Sequence, residues 1–341
     1  YEETGRLEEQ RKVLGRWAEV TEDERERTEL LRRVGELLEG PLRRTEQAVD
    51  VYLGILERVP DDRPTLERLK AIYERSGRWN DLVLTLRKEL AVCTSDGERS
   101  QLLVQIGQVT RDKLGEMERA LEAFEDATRA DPSYTPALLA LEDLLESQGL
   151  WERLVTLLER TAERVREPVR SAATLCRAAE VCEEQLVAPA RAEQFYNRAL
   201  ELDPGNGPAR HGLERLYLAA QDREALESHY LREAEGTANP VLRLRAYLRL
   251  GALFSGPGND PVGAAAAYES ALRVMEDQPD ALRSLASLHR RTMNWERLAA
   301  LLARVAGTAR EREAAVAALK EWATVVEVHM ADKWDPAPIY E

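Results

Sequence analysis

Four histidines and three cysteines are the side chains of this 341-residue chain best suited to hold a metal or carry out nucleophilic chemistry. Such chemistry needs ligands, or a nucleophile and its base, brought together at short spacing. His211, His229, His289 and His329 are scattered and show no HExxH arrangement. Cys93, Cys176 and Cys182 are odd in number with no CxxC spacing, so neither a zinc site nor a disulfide framework is expected. The run GPGND at 256–260 lacks the lysine and the serine or threonine of a phosphate-binding loop. The many carboxylates lie among arginines, as in exposed helical ion pairs. The residues predict no catalytic group, no cofactor and no metal.

The elements that carry these residues follow a period of 72. Gly35, Gly107 and Gly251 share one phase, with Ala179 in the remaining slot. Trp79, Trp151 and Trp295 share a second, where Arg223 replaces tryptophan. Ala48, Ala120, Ala192 and Ala264 mark a third, and Tyr52, Phe124, Tyr196 and Tyr268 a fourth. Markers that hold one period without insertion define a repeat array, in which function resides in a surface more than in a pocket. The repeat also reads His289 as a packing residue, since it takes the place of Tyr73 and Tyr217. The periodic tryptophans are read in the same way, as packing or stapling groups; Trp322 and Trp334 fall outside the period.

Bulk composition narrows the partners. Charged residues make up 32% of the chain and the net charge is −14, which argues against nucleic-acid binding because the phosphate backbone requires a concentrated basic face. Arginine outnumbers lysine 42 to 6, a bias read as coding and not as a binding signal. No run of about 18 apolar residues is present, so no membrane insertion is expected. Reduced thiols suit a cytoplasmic protein.

Within the second repeat, apolar spacing predicts a helix from about Gln101 to Lys113 and another from Met117 to Arg129, broken by Asp131-Pro132. A third starts near Pro136 and ends at Gly149, and Trp151 opens a fourth. No alternating β-branched run is long enough for a strand, and the chain is read as all-α. The small residue, alanine, aromatic, alanine and proline sequence of Ala179, Ala192, Tyr196, Ala199 and Pro204 resembles the tetratricopeptide repeat, a helix pair whose small residues permit close crossing. The second pair of each repeat departs from this pattern. Its small position holds Lys70, Glu142, Glu214 or Ala286, and its alanine position Leu82, Leu154, Leu226 or Leu298. A buried charge needs a partner, so this pair is expected to splay or rotate. The resemblance covers nearly the whole chain and is closer in the first pair.

The resemblance implies a right-handed α-solenoid of tetratricopeptide and tetratricopeptide-like pairs, its concave groove lined by the first helix of each pair. By the family's phase one groove line contains Arg33, Gln105, Arg177 and Arg249, with Arg245 nearby, and a neighbouring line contains Glu36, Gln108, Glu180 and Ala252. Such a ladder could hold an acidic partner, or its own glutamates could neutralise it. The chaperone-type carboxylate clamp is not matched: Arg245 and Arg249 suit its last positions, but Cys176, Glu180 and Gly212 stand where its earlier ones belong.

The organisation expected is an incomplete unit at 1–26, full units at 27–98, 99–170, 171–242 and 243–314, and a further incomplete unit at 315–341. Gly5 falls on the phase of Gly77 and Tyr340 on that of Tyr268, so a fragment of a larger bacterial array is expected. The function expected is a non-catalytic scaffold for a peptide or protein, a second copy of the chain included. The alternatives are a regulatory or targeting region of an enzyme, or a self-assembling array.

Overall fold

In the computed structural model, residues 2–256, 260–309 and 311–330 are described, and among them the chain forms 18 α-helices and no strand. They are α1 Glu2–Val20, α2 Glu24–Glu39, α3 Thr45–Arg58, α4 Arg63–Ser76, α5 Trp79–Val92, α6 Asp96–Val109, α7 Met117–Ala130, α8 Thr135–Ser147 and α9 Trp151–Arg164. There follow α10 Pro168–Glu184, α11 Pro189–Leu202, α12 Gly207–Ala220, α13 Arg223–Gly236, α14 Pro240–Ser255, α15 Pro261–Val274, α16 Pro279–Arg291, α17 Trp295–Thr308 and α18 Arg312–His329. The four helix starts of each repeat recur at 72 residues throughout. Tyr340, Trp334 and positions 257–259 of the GPGND run lie outside the described residues.

The periodicity of helix ends has a backbone cause. Gly77 and Gly149 adopt the left-handed conformation after α4 and α8, and Gln221 and Met293 adopt it at the same phase after α12 and α16. In all four repeats the following amide closes the turn, Arg78 N–H onto Tyr73 O at 2.9 Å and Asn294 N–H onto His289 O at 2.9 Å among them. A second left-handed phase, which the sequence reading missed because only one of its members is glycine, holds Arg43, Gly115 and Val187. There the next amide reaches back six residues, Glu116 N–H to Thr110 O at 3.0 Å and Ala188 N–H to Cys182 O at 2.8 Å. In the second repeat this wide turn makes Thr110–Leu114 π-helical, so the first helix is longer than its predicted span. It also begins earlier, at Asp96, because Ser95 caps it. Gly5, by contrast, lies inside α1 and does not break it.

Val187 is a β-branched residue at φ 51° and is 78% exposed, so nothing it touches repays the steric strain. Val187→Gly is therefore expected to stabilise the chain by about 1 kcal/mol, read as a higher thermal midpoint. An unchanged or lower midpoint would contradict this.

The chain forms two compact units, Tyr1–Leu154 and Val155–Glu341. In each, a helix packs chiefly on its neighbours in sequence, the nearest-neighbour stacking of an α-solenoid. The core of the first unit includes Val34, Leu38, Tyr52, Ile72, Leu82 and Leu86. That of the second includes Leu250, Tyr268, Leu282, Leu285, Leu298 and Leu302.

The first pair of each repeat crosses closely because its glycine receives an aromatic ring. A Cβ added at Gly35, Gly107 or Gly251 would lie under 3.0 Å from the ring of Tyr52, Phe124 or Tyr268. In the third repeat, where Ala179 stands, the Tyr196 ring instead covers Gly212 of α12. The second pairs approach less closely, in keeping with their larger residues. Their charges are partnered: Lys70 Nζ bonds Glu67 at 2.7 Å and Glu89 at 2.9 Å, and Glu214 accepts from Tyr230 Oη at 2.6 Å.

Candidate functional site

The candidate surface is built by the first and third helices of successive repeats. In the first compact unit Arg33 on α2 is exposed, with Nε 3.6 Å from Glu29 one turn away. Gln105 on α6 is half-buried and lines a cleft of about 610 Å³ with Asp62, Lys70, Glu89 and Glu98. Burial opposes the Lys70 charge, yet Glu67 and Glu89 together hold its pKa above the ordinary lysine value. No hydrogen bond or ion pair joins Arg33 to Gln105 among the described residues. Around them, side chains of consecutive first and third helices are tied across: Arg32 to Asp62 at 2.9 Å, Arg68 to Glu36 at 3.0 Å, Arg63 to Glu98 at 3.1 Å and Arg111 to Asp143 at 2.8 Å.

In the second compact unit Arg177 on α10 is half-buried and engaged. Arg245 on α14 is exposed, its Nη2 3.2 Å from His211 Nε2. Arg249 pairs with Glu214 of α12 and lies 6.0 Å from the centre of the Tyr230 ring. Of the predicted positions, Arg249 is tied to Glu214 across helices, Arg33 lies near Glu29 of its own helix, and Arg245 lies beside His211. The carboxylates of these ties come from first and third helices alike, Glu36, Glu98, Asp143 and Glu214, and from Asp62 just before α4; Asp62, Glu98 and Asp143 are residues the sequence reading passed over. The available signal was the charge at the small-residue position, Lys70 and Glu214, for which a partner had to exist.

In the first and third repeats a clasp closes the junction beside the core aromatic. Tyr52 Oη donates to Glu39 at 3.4 Å, and Glu39 is also held by Arg75 of α4. In the third repeat Tyr196 Oη donates to Glu183 at 3.1 Å, and Arg215 of α12 grips both Glu183 oxygens at 2.7 Å. The Arg215 hydrogen bond keeps Glu183 below the usual carboxylate range, while burial beside that charge pushes the Tyr196 phenol up. In the second repeat Phe124 stands in this place, under the Arg111 guanidinium at 5.9 Å.

Neither buried cysteine nor histidine is set up as a nucleophile or base here. Burial, with Glu180 and Asp203 adding to it, raises the Cys176 thiol to about 11, and its Sγ–H donates to Asn206 Oδ1 at 3.2 Å. Burial lowers His289, with Arg297 adding to the effect. Among the described residues no three of histidine, cysteine, aspartate and glutamate are grouped to hold a metal ion.

The family model for the tetratricopeptide repeat matches residues 65–100 and 137–170. These two segments are tetratricopeptide repeats. Among solved structures, a tetratricopeptide repeat protein from Parabacteroides merdae is similar at 17% identity and TM-score 0.32, over 76% of this chain and 97% of that one. PilW, a type IV pilus biogenesis factor, is similar at 16% identity and TM-score 0.32, over 64% of this chain and 98% of that one. No curated protein matches the sequence.

The matched tetratricopeptide segments cover α4 with α5 and α8 with α9, the pairs that sequence reading placed further from the family. The charges that suggested divergence are accommodated by partners, and Leu82 and Leu154 are buried in the core. The tryptophans that open these fourth helices act as staples to the following repeat. Lys113 Nζ lies 5.3 Å from the Trp79 ring, and His329, at the same phase as Lys113, stacks on Trp295 at 3.9 Å and 4°.

Proposed function

We propose that this chain is a non-catalytic scaffold that binds a peptide or protein along the face made by the first and third helices. Tetratricopeptide repeats generally mediate protein–protein interaction. The observation that carries the reading is the cross-helix lattice within each compact unit. It orders a broad polar surface from Arg32 to Asp143 in one unit and from Glu183 to Glu321 in the other. A surface of that kind recognises partners through many modest contacts. The units 27–98, 99–170, 171–242 and 243–314 are its repeating modules, and the cytoplasm is the compartment we assign to it.

Arg33 and Arg245, exposed on this face, together with Gln105, Arg177 and Arg249, are the residues we place at the partner. Capture with the intact protein from its source, followed by mass spectrometry, identifies the partner. Arg33→Glu with Arg245→Glu should preserve helicity and weaken an acidic partner by about fivefold per site. Failure to capture any protein, by a bait that remains folded, would overturn the scaffold reading.

A further inference from the structure

The fourth repeat lacks one member of the clasp. Its positions matching Glu39, Tyr52 and Arg75 of the first repeat are Ser255, Tyr268 and Arg291. The carboxylate has become a hydroxyl, while the phenol and guanidinium positions are kept. A cleft of about 490 Å³ opens there, its lining including Ser255, Tyr268, Asp280, Arg283, Ser287 and Arg291.

Tyr268 is only 5% exposed, yet among the described residues its hydroxyl has no hydrogen-bond partner. Four other phenols donate to carboxylates of this chain: Tyr52 to Glu39, Tyr196 to Glu183, Tyr217 to Glu193 and Tyr230 to Glu214. The hydroxyl borders a cleft that an acceptor can enter, in the place where a carboxylate meets the phenol of Tyr52 and of Tyr196. Ser255 cannot replace the missing carboxylate, because its hydroxyl donates to Gly251 O at 2.8 Å. Ser284 and Ser287 add two hydroxyls without hydrogen bonds among the described residues. Arg283 pairs with Asp280 at 2.6 Å. Arg291 already interacts with another group, and a guanidinium with five donors can serve a further acceptor. One carboxylate faces two guanidinium groups at this cleft, in a chain of net charge −14.

We infer that the fourth repeat binds a glutamate or aspartate side chain of a partner polypeptide, which takes the place that Glu39 and Glu183 fill from within. The first repeat supplies the template: one Glu39 oxygen accepts from the Tyr52 phenol while the guanidinium of Arg75 on α4 holds the other. The inference rests on the scaffold reading and names the chemistry its partner brings to this one repeat.

The test uses the full chain and a fluorescent, C-terminally amidated peptide of alternating glutamate and glycine, with glutamine in place of glutamate as control. Binding should be at least about tenfold tighter for the glutamate peptide. Ser255→Glu restores the internal carboxylate and should reduce binding by at least about tenfold with helicity retained. Tyr268→Phe removes only the hydroxyl and should weaken binding by about fivefold to tenfold with an unchanged or higher thermal midpoint. Equal binding of the two peptides, or unaltered binding in either folded variant, overturns the site. So does inorganic phosphate binding in this cleft if the acidic peptide does not bind. If a captured natural partner binds wild type and Ser255→Glu equally, the scaffold reading stands and this site falls.

Discussion

Gly107→Ala is expected to destabilise the protein by about 1 kcal/mol, although alanine is the better helix former. The new methyl group would fall under 3.0 Å from the Phe124 ring, which is fully buried and has no open direction in which to move. Overpacking of this kind costs about 1–3 kcal/mol after relaxation, more than the helix-propensity gain of about 1 kcal/mol. Thermal denaturation of the full chain reads the effect, and amide exchange should localise it to α6 and α7. The third repeat provides the contrast. Ala179→Gly should lose only helix propensity, whereas Gly212→Ala should show the clash, because Tyr196 leans on Gly212. If Ala179→Gly and Gly212→Ala proved equally mild, the ring-on-glycine account of the close crossing would fail. Gly107→Ala combined with Phe124→Leu should recover part of the loss, since the double change returns the volume that the methyl group takes.

The alternation of close and looser helix pairs was legible in the sequence because glycine, alanine and aromatic positions hold a fixed phase. What that phase could not show is which of two small residues a ring would choose. Ala179 and Gly212 flank Tyr196 from different helices, and a difference of one methyl group decided the outcome. The left-handed turn after the first helix of the first three repeats escaped notice for a related reason. Arg43 and Val187 adopt a conformation that glycine signals only at Gly115, so the backbone constraint is obeyed by residues that do not announce it. The candidate surface was legible as far as its helices and its arginine positions. Its partners were not, because the ion pairs join residues about half a repeat apart, such as Arg249 with Glu214, and a comparison at the full period never aligns them. Comparison within a phase does reveal departures, and the change from Glu39 and Glu183 to Ser255 is readable in that way.

His229 contributes to the acid sensitivity of the second compact unit, alongside His289 and Glu183. It is 5% exposed, packed against Tyr217 and Tyr230 with ring centres 6.0 Å and 5.7 Å away, and its Nε2 has no hydrogen-bond partner among the described residues. Burial lowers its pKa to about 4, with Arg232, Arg210 and Arg249 acting in the same direction and Glu214 against it. The unfolded chain binds this proton below about pH 6.5 and the folded chain only near pH 4, so the folded state loses ground as the pH falls through that window. The loss amounts to about 3 kcal/mol once both forms are protonated, and above pH 6.5 this linkage contributes nothing. Leu157 and Leu301 occupy the same phase in the second and fourth repeats, so leucine suits the position. His229→Leu should therefore raise stability at neutral pH by about 1–2 kcal/mol, by removing an unsatisfied buried nitrogen. It should also flatten the fall in thermal midpoint between pH 6.5 and 4 relative to the wild type. The two effects have separate origins, one from hydrogen bonding and one from proton linkage. A variant that gained stability at pH 7 yet kept the full acid slope would show that His229 is not one of the titrating groups.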